Sequence, residues 1–184
     1  MEIRPFDKSN LKYINEAAQL LAEFFPQTYL DSADEEMQQI LEDGKLAFMA
    51  TENESLIGFV GAMPQYGTTG WELHPLAVRA DRRGSGLGTR LVLALEEAAA
   101  DKGCITMYLG TDDEFGKTSL SDTDLYGDTF SKIENIRNLH GHPFEFYQKL
   151  GYKIVGVIPD ANGIGKPDIF MAKRIGGKMG TGVS

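Results

Sequence analysis

Residues 82–90 read Arg82-Arg83-Gly84-Ser85-Gly86-Leu87-Gly88-Thr89-Arg90, between an apolar strand-like run and a long helix-like one. Backbone N–H groups in a tight glycine-rich turn, followed by a helix start with its positive partial charge, bind phosphate oxygens that no side chain has to reach. Arginine adds fixed charge beside such a turn. The pattern Arg83-x-x-Gly86-x-Gly88 at a strand-to-helix junction therefore points to a diphosphate cradle built from Arg83, Gly84, Ser85, Gly86, Leu87, Gly88 and Thr89.

Context decides which kind of cradle. A dinucleotide-binding fingerprint follows the first strand of a βαβ unit and leads to an acidic ribose-binding residue. Here the turn comes after four strand-like segments, and Gly88-Thr89-Arg90 lacks the lysine of a Walker loop. Outward from the turn, Ile3 to Phe6 reads as a strand, and Leu11, Ile14, Ala18, Leu21, Ala22 and Phe25 fall at helical spacing until Pro26. Ser32-Ala33-Asp34-Glu35 has the form of a capping box opening a second helix, with Met37, Ile40 and Leu41 on its apolar face. Strands are expected over 46–51 and 55–62, joined by Glu52-Asn53-Glu54, and over 71–78, where Pro75 removes a ladder donor and should make the strand bulge or splay. Leu87, Leu91, Leu95 and Ala98 line one side of the helix after the turn, which stops near Gly103. Further strands are expected over 105–109, 153–158 and 168–172, with a helix from Pro143 to Leu150 closed by Gly151 and only a short helix within 112–142.

The chain of 184 residues is long enough for one hydrophobic core without staples. We expect one domain over 1–175 and a flexible glycine-rich tail over 176–184. The single cysteine, Cys104, excludes an internal disulfide and a cysteine-rich zinc site; opening an apolar strand, it reads as buried filler. His74, His140 and His142 form no recognised ligand spacing with acids, so no metal is expected. The opening Met1-Glu2-Ile3-Arg4-Pro5 has no signal-peptide core and no apolar run approaches a membrane span, so a cytoplasmic protein without a membrane partner is expected. A formal net charge of −9 argues against nucleic acid and is compatible with a cationic partner.

The order β-α-α-β-β-β, glycine-rich turn, α-β-α-β, with Tyr147-Gln148-Lys149-Leu150-Gly151-Tyr152 near the end, resembles the GNAT acetyltransferase superfamily. Within it the chain is similar to aminoglycoside 6′-N-acetyltransferases of the chromosomal, dimer-forming type. The likeness is carried by Trp71-Glu72-Leu73-His74-Pro75-Leu76, Tyr108-Leu109-Gly110-Thr111-Asp112-Asp113, Thr123-Asp124-Leu125-Tyr126, His142-Pro143-Phe144-Glu145-Phe146-Tyr147, Pro159-Asp160-Ala161-Asn162-Gly163 and Lys166-Pro167-Asp168-Ile169. The first forty residues match more loosely.

The resemblance implies an α/β (α+β) fold, a single domain with a mixed central sheet of about seven strands, splayed at the fourth and flanked by helices. It implies acetyl-CoA as cosubstrate, a cationic amine such as an aminoglycoside as acceptor, antibiotic resistance as the outcome, and a homodimer. The turn would hold the pyrophosphate. Leu76, Ala77 and Val78 would pair with the pantetheine amides, a backbone N–H of Leu76 or Ala77 would face the thioester oxygen, and Lys149 would approach a phosphate. Tyr147 matches the general-acid tyrosine; a phenol near ~10 is expected to donate to a thiolate whose conjugate acid lies near ~8.5. Glu72 and His74, two apart on a strand, share a face, which would bring carboxylate and imidazole together. Glu72 would take the ammonium proton, directly or through water, or fix the cationic acceptor, and His74 has the better intrinsic pKa for a base but reads equally as a packing residue. Phe25, Tyr66 and Trp71 are the aromatics nearest the expected acceptor side, and Asp112, ending a strand, is the favoured acceptor carboxylate of the acidic stretch 112–128. Two other readings stay open: a GNAT enzyme for another polyamine or a small basic protein or peptide, and an acetyl-CoA sensor without turnover, against which Tyr147 and Glu72 speak.

Overall fold

The structure, a computed structural model, describes residues 1–177. The expected tail lies outside the described residues from Lys178 onward. The chain forms two compact units, Met1–Met107 with the segment from Ile175, and Tyr108–Arg174. Seven strands form a mixed sheet in the order β1-β2-β3-β4-β5-β7-β6, flanked by helices, as the sequence led us to expect.

The first unit runs β1 (Glu2–Pro5), α1 (Leu11–Phe24), α2 (Pro26–Tyr29), α3 (Ala33–Ile40), β2 (Leu46–Glu52), β3 (Ser55–Tyr66), β4 (Gly70–Val78), a 3₁₀ turn (Ala80–Arg82) and α4 (Leu87–Asp101). Asn10 caps α1 by accepting from the Lys12 N–H at 3.1 Å, and Tyr13, Ala17, Ala18, Leu20 and Leu21 bury its inner face. Pro26 does more than stop this helix. Its fixed φ opens the short α2, so the chain turns once more before α3. The capping box does not form: Ser32 makes no side-chain cap bond, and its hydroxyl donates back to the Thr28 carbonyl at 3.4 Å. β1, β2, β3 and β4 pair antiparallel in succession. Packed on them, α4 buries Leu87, Leu91, Val92, Leu95 and Ala99, so Ala99 rather than Ala98 completes the inner side. Leu21, Met37, Met49, Phe59 and Ala77 meet at the centre of this unit's core.

The expected irregularity at Pro75 is present. The β3–β4 ladder pairs Val60 with Leu76 but Ala62 with Leu73, so His74 and Pro75 stand opposite Gly61 alone. Gly61 is what lets the strands close there, because a Cβ on it would lie 2.6 Å from the His74 carbonyl oxygen. Cys104 is buried and its Sγ points to the Thr106 carbonyl oxygen at 3.3 Å; burial pushes the thiol above its ordinary value, which suits filler rather than a nucleophile. The Ile175 and Gly176 N–H groups both donate to the Ile105 carbonyl, at 2.9 and 3.2 Å.

The second unit carries the rest of β5 (Thr106–Asp112), then α5 (Thr129–Glu134), α6 (Phe144–Lys149), β6 (Lys153–Ile158) and β7 (Asp168–Arg174). β6 and β7 form an antiparallel pair, against which α5 and α6 rest. Leu109, Leu120, Leu125, Phe144, Tyr152, Ile169 and Met171 are buried here.

Candidate active site

The glycine-rich turn has the form its sequence dictates. Gly84 and Gly86 adopt left-handed φ of +74° and +80°, open to glycine without penalty. Gly86 caps α4, its carbonyl accepting from the Arg90 N–H at 3.1 Å. The N–H groups of Leu87, Gly88 and Thr89 fall in the first helical turn, where no intrahelical carbonyl can reach them. A Cβ on Gly84 or Gly86 would meet nothing within 4 Å, so the turn borders open space, and these residues fit the diphosphate of a coenzyme A. The Ser85 hydroxyl donates to the Arg82 carbonyl at 2.6 Å and braces the turn from within.

The two arginines before the turn are held differently. Arg83 is exposed beside the glycines: its Nε–H donates to the Val78 carbonyl at 3.3 Å, and its guanidinium lies 4.5 Å from the centre of the Phe24 ring. Arg82 is paired with Glu52 at 2.5 Å and Asp81 at 3.0 Å, and the hydrogen bond and charge it supplies lower the Glu52 pKa. Arg83 keeps its charge and terminal N–H donors, so at this turn the guanidinium and the backbone N–H groups can both attract an anion.

On β4, residues Leu76, Ala77 and Val78 face Val60, Phe59 and Gly58 of β3, and Ala77 and Val78 are buried. Glu72 and His74 are both half-buried, between the buried Trp71, Leu73 and Pro75. Their partners differ. Gln65 donates its amide N–H to Glu72 Oε2 at 2.9 Å, whereas His74 Nε2 lies 2.9 Å from the Tyr29 hydroxyl and 3.4 Å from Glu36 Oε1. The carboxylate that His74 meets is thus on α3. Sequence reading missed Tyr29 and Glu36, and the only local signal was Pro26, which opens the turn that presents Tyr29.

The aromatic expectations divide. Phe25 is half-buried, 4.6 Å from Phe24 and 6.0 Å from Tyr29 by ring centres, so it belongs to the chain Arg83, Phe24, Phe25, Tyr29, His74. Tyr66 is 71% exposed. Trp71 is only 3% exposed and its indole N–H donates to the Thr68 carbonyl at 2.9 Å, which closes the β3–β4 turn.

In the second unit, Tyr147 sits on α6 at 8% exposure, edge-on to Phe146 and Tyr152 at 5.0 and 5.7 Å. Burial pushes its phenol well above the ordinary value near ~10. A phenol is a weaker acid than a thiol and burial weakens it further, so Tyr147 is held neutral with its O–H available to donate. Lys149 is exposed in the last turn of α6. Asp112 is exposed at the end of β5, with the Asn162 amide donating to its Oδ1. Its neighbour Asp113 is fully buried, accepting from the Lys117 and Thr118 N–H groups at 2.7 Å each, and is a loop organiser rather than part of a solvated acidic face. Among the described residues, no group of three His, Cys, Asp or Glu side chains could hold a metal ion, and no helix is long and apolar enough to cross a membrane.

A turn whose amides open a helix after a bulged fourth strand suits an acyl-CoA-dependent transferase. The chain belongs to the GNAT acetyltransferase family, which matches residues 14–120, and acetyl-CoA is its acyl donor. Among solved structures it is similar to an aminoglycoside 6′-N-acetyltransferase complexed with coenzyme A, at 51% identity and a TM-score of 0.95 over 97% of this chain and 99% of that one. The aminoglycoside 6′-N-acetyltransferase from Enterococcus faecium is 51% identical with a TM-score of 0.93 over the same shares. An aminoglycoside 6′-acetyltransferase type Ii is 43% identical, with a TM-score of 0.78 over 97% of this chain and 100% of that one. No curated protein matches by sequence.

Proposed function

We propose that this enzyme transfers the acetyl group of acetyl-CoA to the 6′-amino group of aminoglycosides, in the cytoplasm and as a homodimer, and so confers resistance to them. The observation that carries this reading is the 51% identity, end to end, with structures of aminoglycoside 6′-N-acetyltransferases. A net charge of −9 suits a polycationic acceptor.

Acetyl-CoA supplies an activated acyl group as its thioester. The N–H groups of the 83–89 turn hold the diphosphate, with Lys149 near a phosphate, and the backbone of Leu76, Ala77 and Val78 pairs with the pantetheine amides. A backbone N–H of Leu76 or Ala77 polarises the thioester carbonyl. Glu72, oriented by Gln65, accepts the ammonium proton directly or through water. His74, fixed by Tyr29 and Glu36, lies two residues along the strand as a supporting group. Tyr147 remains protonated and donates a hydrogen bond to the departing sulfur, which leaves the final proton to solvent. Phe25, Tyr66 and Asp112 contact the acceptor.

The test is thiol release from acetyl-CoA with purified protein and aminoglycosides that carry or lack a free 6′-amine, with spermidine and a basic peptide alongside. Turnover confined to the 6′-amines is the expected result. Turnover only with spermidine or peptide would sink the antibiotic assignment, and a gel-filtration mass of one chain would sink the dimer.

A further inference from the structure

His142 takes no part in the reaction above, yet both of its ring nitrogens and its backbone are engaged. It is 2% exposed. The Phe144 N–H donates to Nδ1 at 3.2 Å, and Nε2 lies 3.1 Å from the Asp112 carbonyl oxygen. A backbone N–H only donates and a carbonyl oxygen only accepts. The two bonds together therefore define one species, a neutral imidazole with its proton on Nε2. The backbone is clamped as well. The His142 N–H donates to Asn138 Oδ1 at 2.8 Å, and the Asn138 amide donates back to the His142 carbonyl at 2.9 Å. With the main chain fixed on both sides, the ring cannot swing without losing a bond.

What the ring joins is informative. Asp112 ends β5, and Phe144 is the first residue of α6, one helical turn ahead of Tyr147. We infer that His142 is a positioning residue, a neutral imidazole tie that fixes the start of α6, and with it the Tyr147 phenol, to the end of β5. The inference rests on the proposed role of Tyr147 and adds to it the residue that holds the phenol in place. Burial lowers the His142 pKa, opposed by its bond to the Asp112 carbonyl. The charges facing the ring are Asp112 from the end of β5 and Asp113 and Lys117 from the loop after it. Protonation would put a second N–H against the Phe144 N–H and break the tie at α6.

A double-mutant cycle tests this, with kcat and KM of wild type, H142L, H142Q, Y147F and H142L/Y147F measured by thiol release on variants shown to be folded by thermal unfolding. Because small displacements of a reacting group lower rates steeply, H142L should lose about tenfold or more in kcat with little change in KM for acetyl-CoA. H142Q, whose amide keeps one donor and one acceptor, should retain kcat within about threefold. H142L/Y147F should be no slower than Y147F, since the imidazole acts through the phenol. Should H142L not fold, H142N, whose shorter amide reaches one partner, takes its place in the same cycle. Multiplying losses in the double variant, or a folded H142L or H142N with wild-type kcat, would overturn the inference. Wild-type kcat in Y147F would instead remove the reading beneath it, and ¹⁵N shifts showing a protonated Nδ1 in the wild type would overturn the hydrogen-bond assignment itself.

Discussion

Tyr147 is where burial and chemistry pull in different directions. A buried phenol loses the water that would stabilise its anion, so its pKa rises and the neutral form persists to higher pH. An unperturbed tyrosine ionising near ~10 would impose an alkaline fall in kcat. None is expected here up to that pH. Y147F should lower kcat by about 10²-fold, the lower end of what a positioned donor contributes, with KM for acetyl-CoA little changed. Steady-state kinetics from pH 6 to 10 check both points; an alkaline limb that vanishes in Y147F would mean an ordinary phenol. Glu72 separates by the same logic. If it accepts the ammonium proton, E72Q alters the shape of the kcat profile, whereas a group that only holds the acceptor changes its height.

At the scale of elements, backbone geometry sets the strongest expectations. Gly84 and Gly86 need left-handed φ, and an alanine there costs roughly 1–2 kcal/mol per residue while thickening the surface that should meet phosphate. G86A should therefore lower the unfolding midpoint and raise KM for acetyl-CoA more than it lowers kcat, and a lone stability loss would count against the cradle. The β2–β3 hairpin offers the opposite case: its two turn residues, Asn53 and Glu54, sit at φ +50° and +60°, and Glu54 has no glycine to relax into. E54G should stabilise the protein by about 0.5–1 kcal/mol, read from chemical denaturation. Such features were legible because glycine and proline act locally: the turn and the Pro75 bulge follow from residues within a few positions of them. What joins distant positions was not. Tyr29 meets His74 across 45 residues, and nothing in the spacing of either announces it. Ser32 makes no cap because its hydroxyl turns back to donate to the Thr28 carbonyl, and no N–H of α3 bonds to its oxygen. The burial of Trp71 was legible in the strand: if Glu72 and His74 share a face of β4, alternation puts Trp71 on the other.

For the molecule as a whole, acid is the lever, and its sign follows from two buried groups. His142 has a depressed pKa when folded, so as pH falls below the unfolded value near ~6.5 the unfolded chain takes up a proton that the native imidazole refuses. Stability is then lost progressively until pH passes the folded value. Asp113 behaves alike at lower pH. Burial alone would raise its pKa, but hydrogen bonds from Ser121, Lys117 and Thr118 lower it on balance, so its contribution is complete above ~3.9 and fades as pH falls through the folded value. The exposed carboxylates of Asp7, Glu52 and Asp81 are lowered too, by Ser9, Arg82 and Arg79 respectively, but salt screens what they add. Thermal midpoints should thus fall in two stages, one beginning below about pH 6.5 and another below about pH 4. H142Q, with no proton to gain, should hold a flatter midpoint between pH 7 and 5 while keeping the second stage; D113N should be destabilised at neutral pH, by about 1–3 kcal/mol, and show a weakened second stage. Differential scanning measurements of the three proteins at constant ionic strength decide it. An upper stage as steep in H142Q as in the wild type would place the titrating proton elsewhere than on the imidazole that ties β5 to α6.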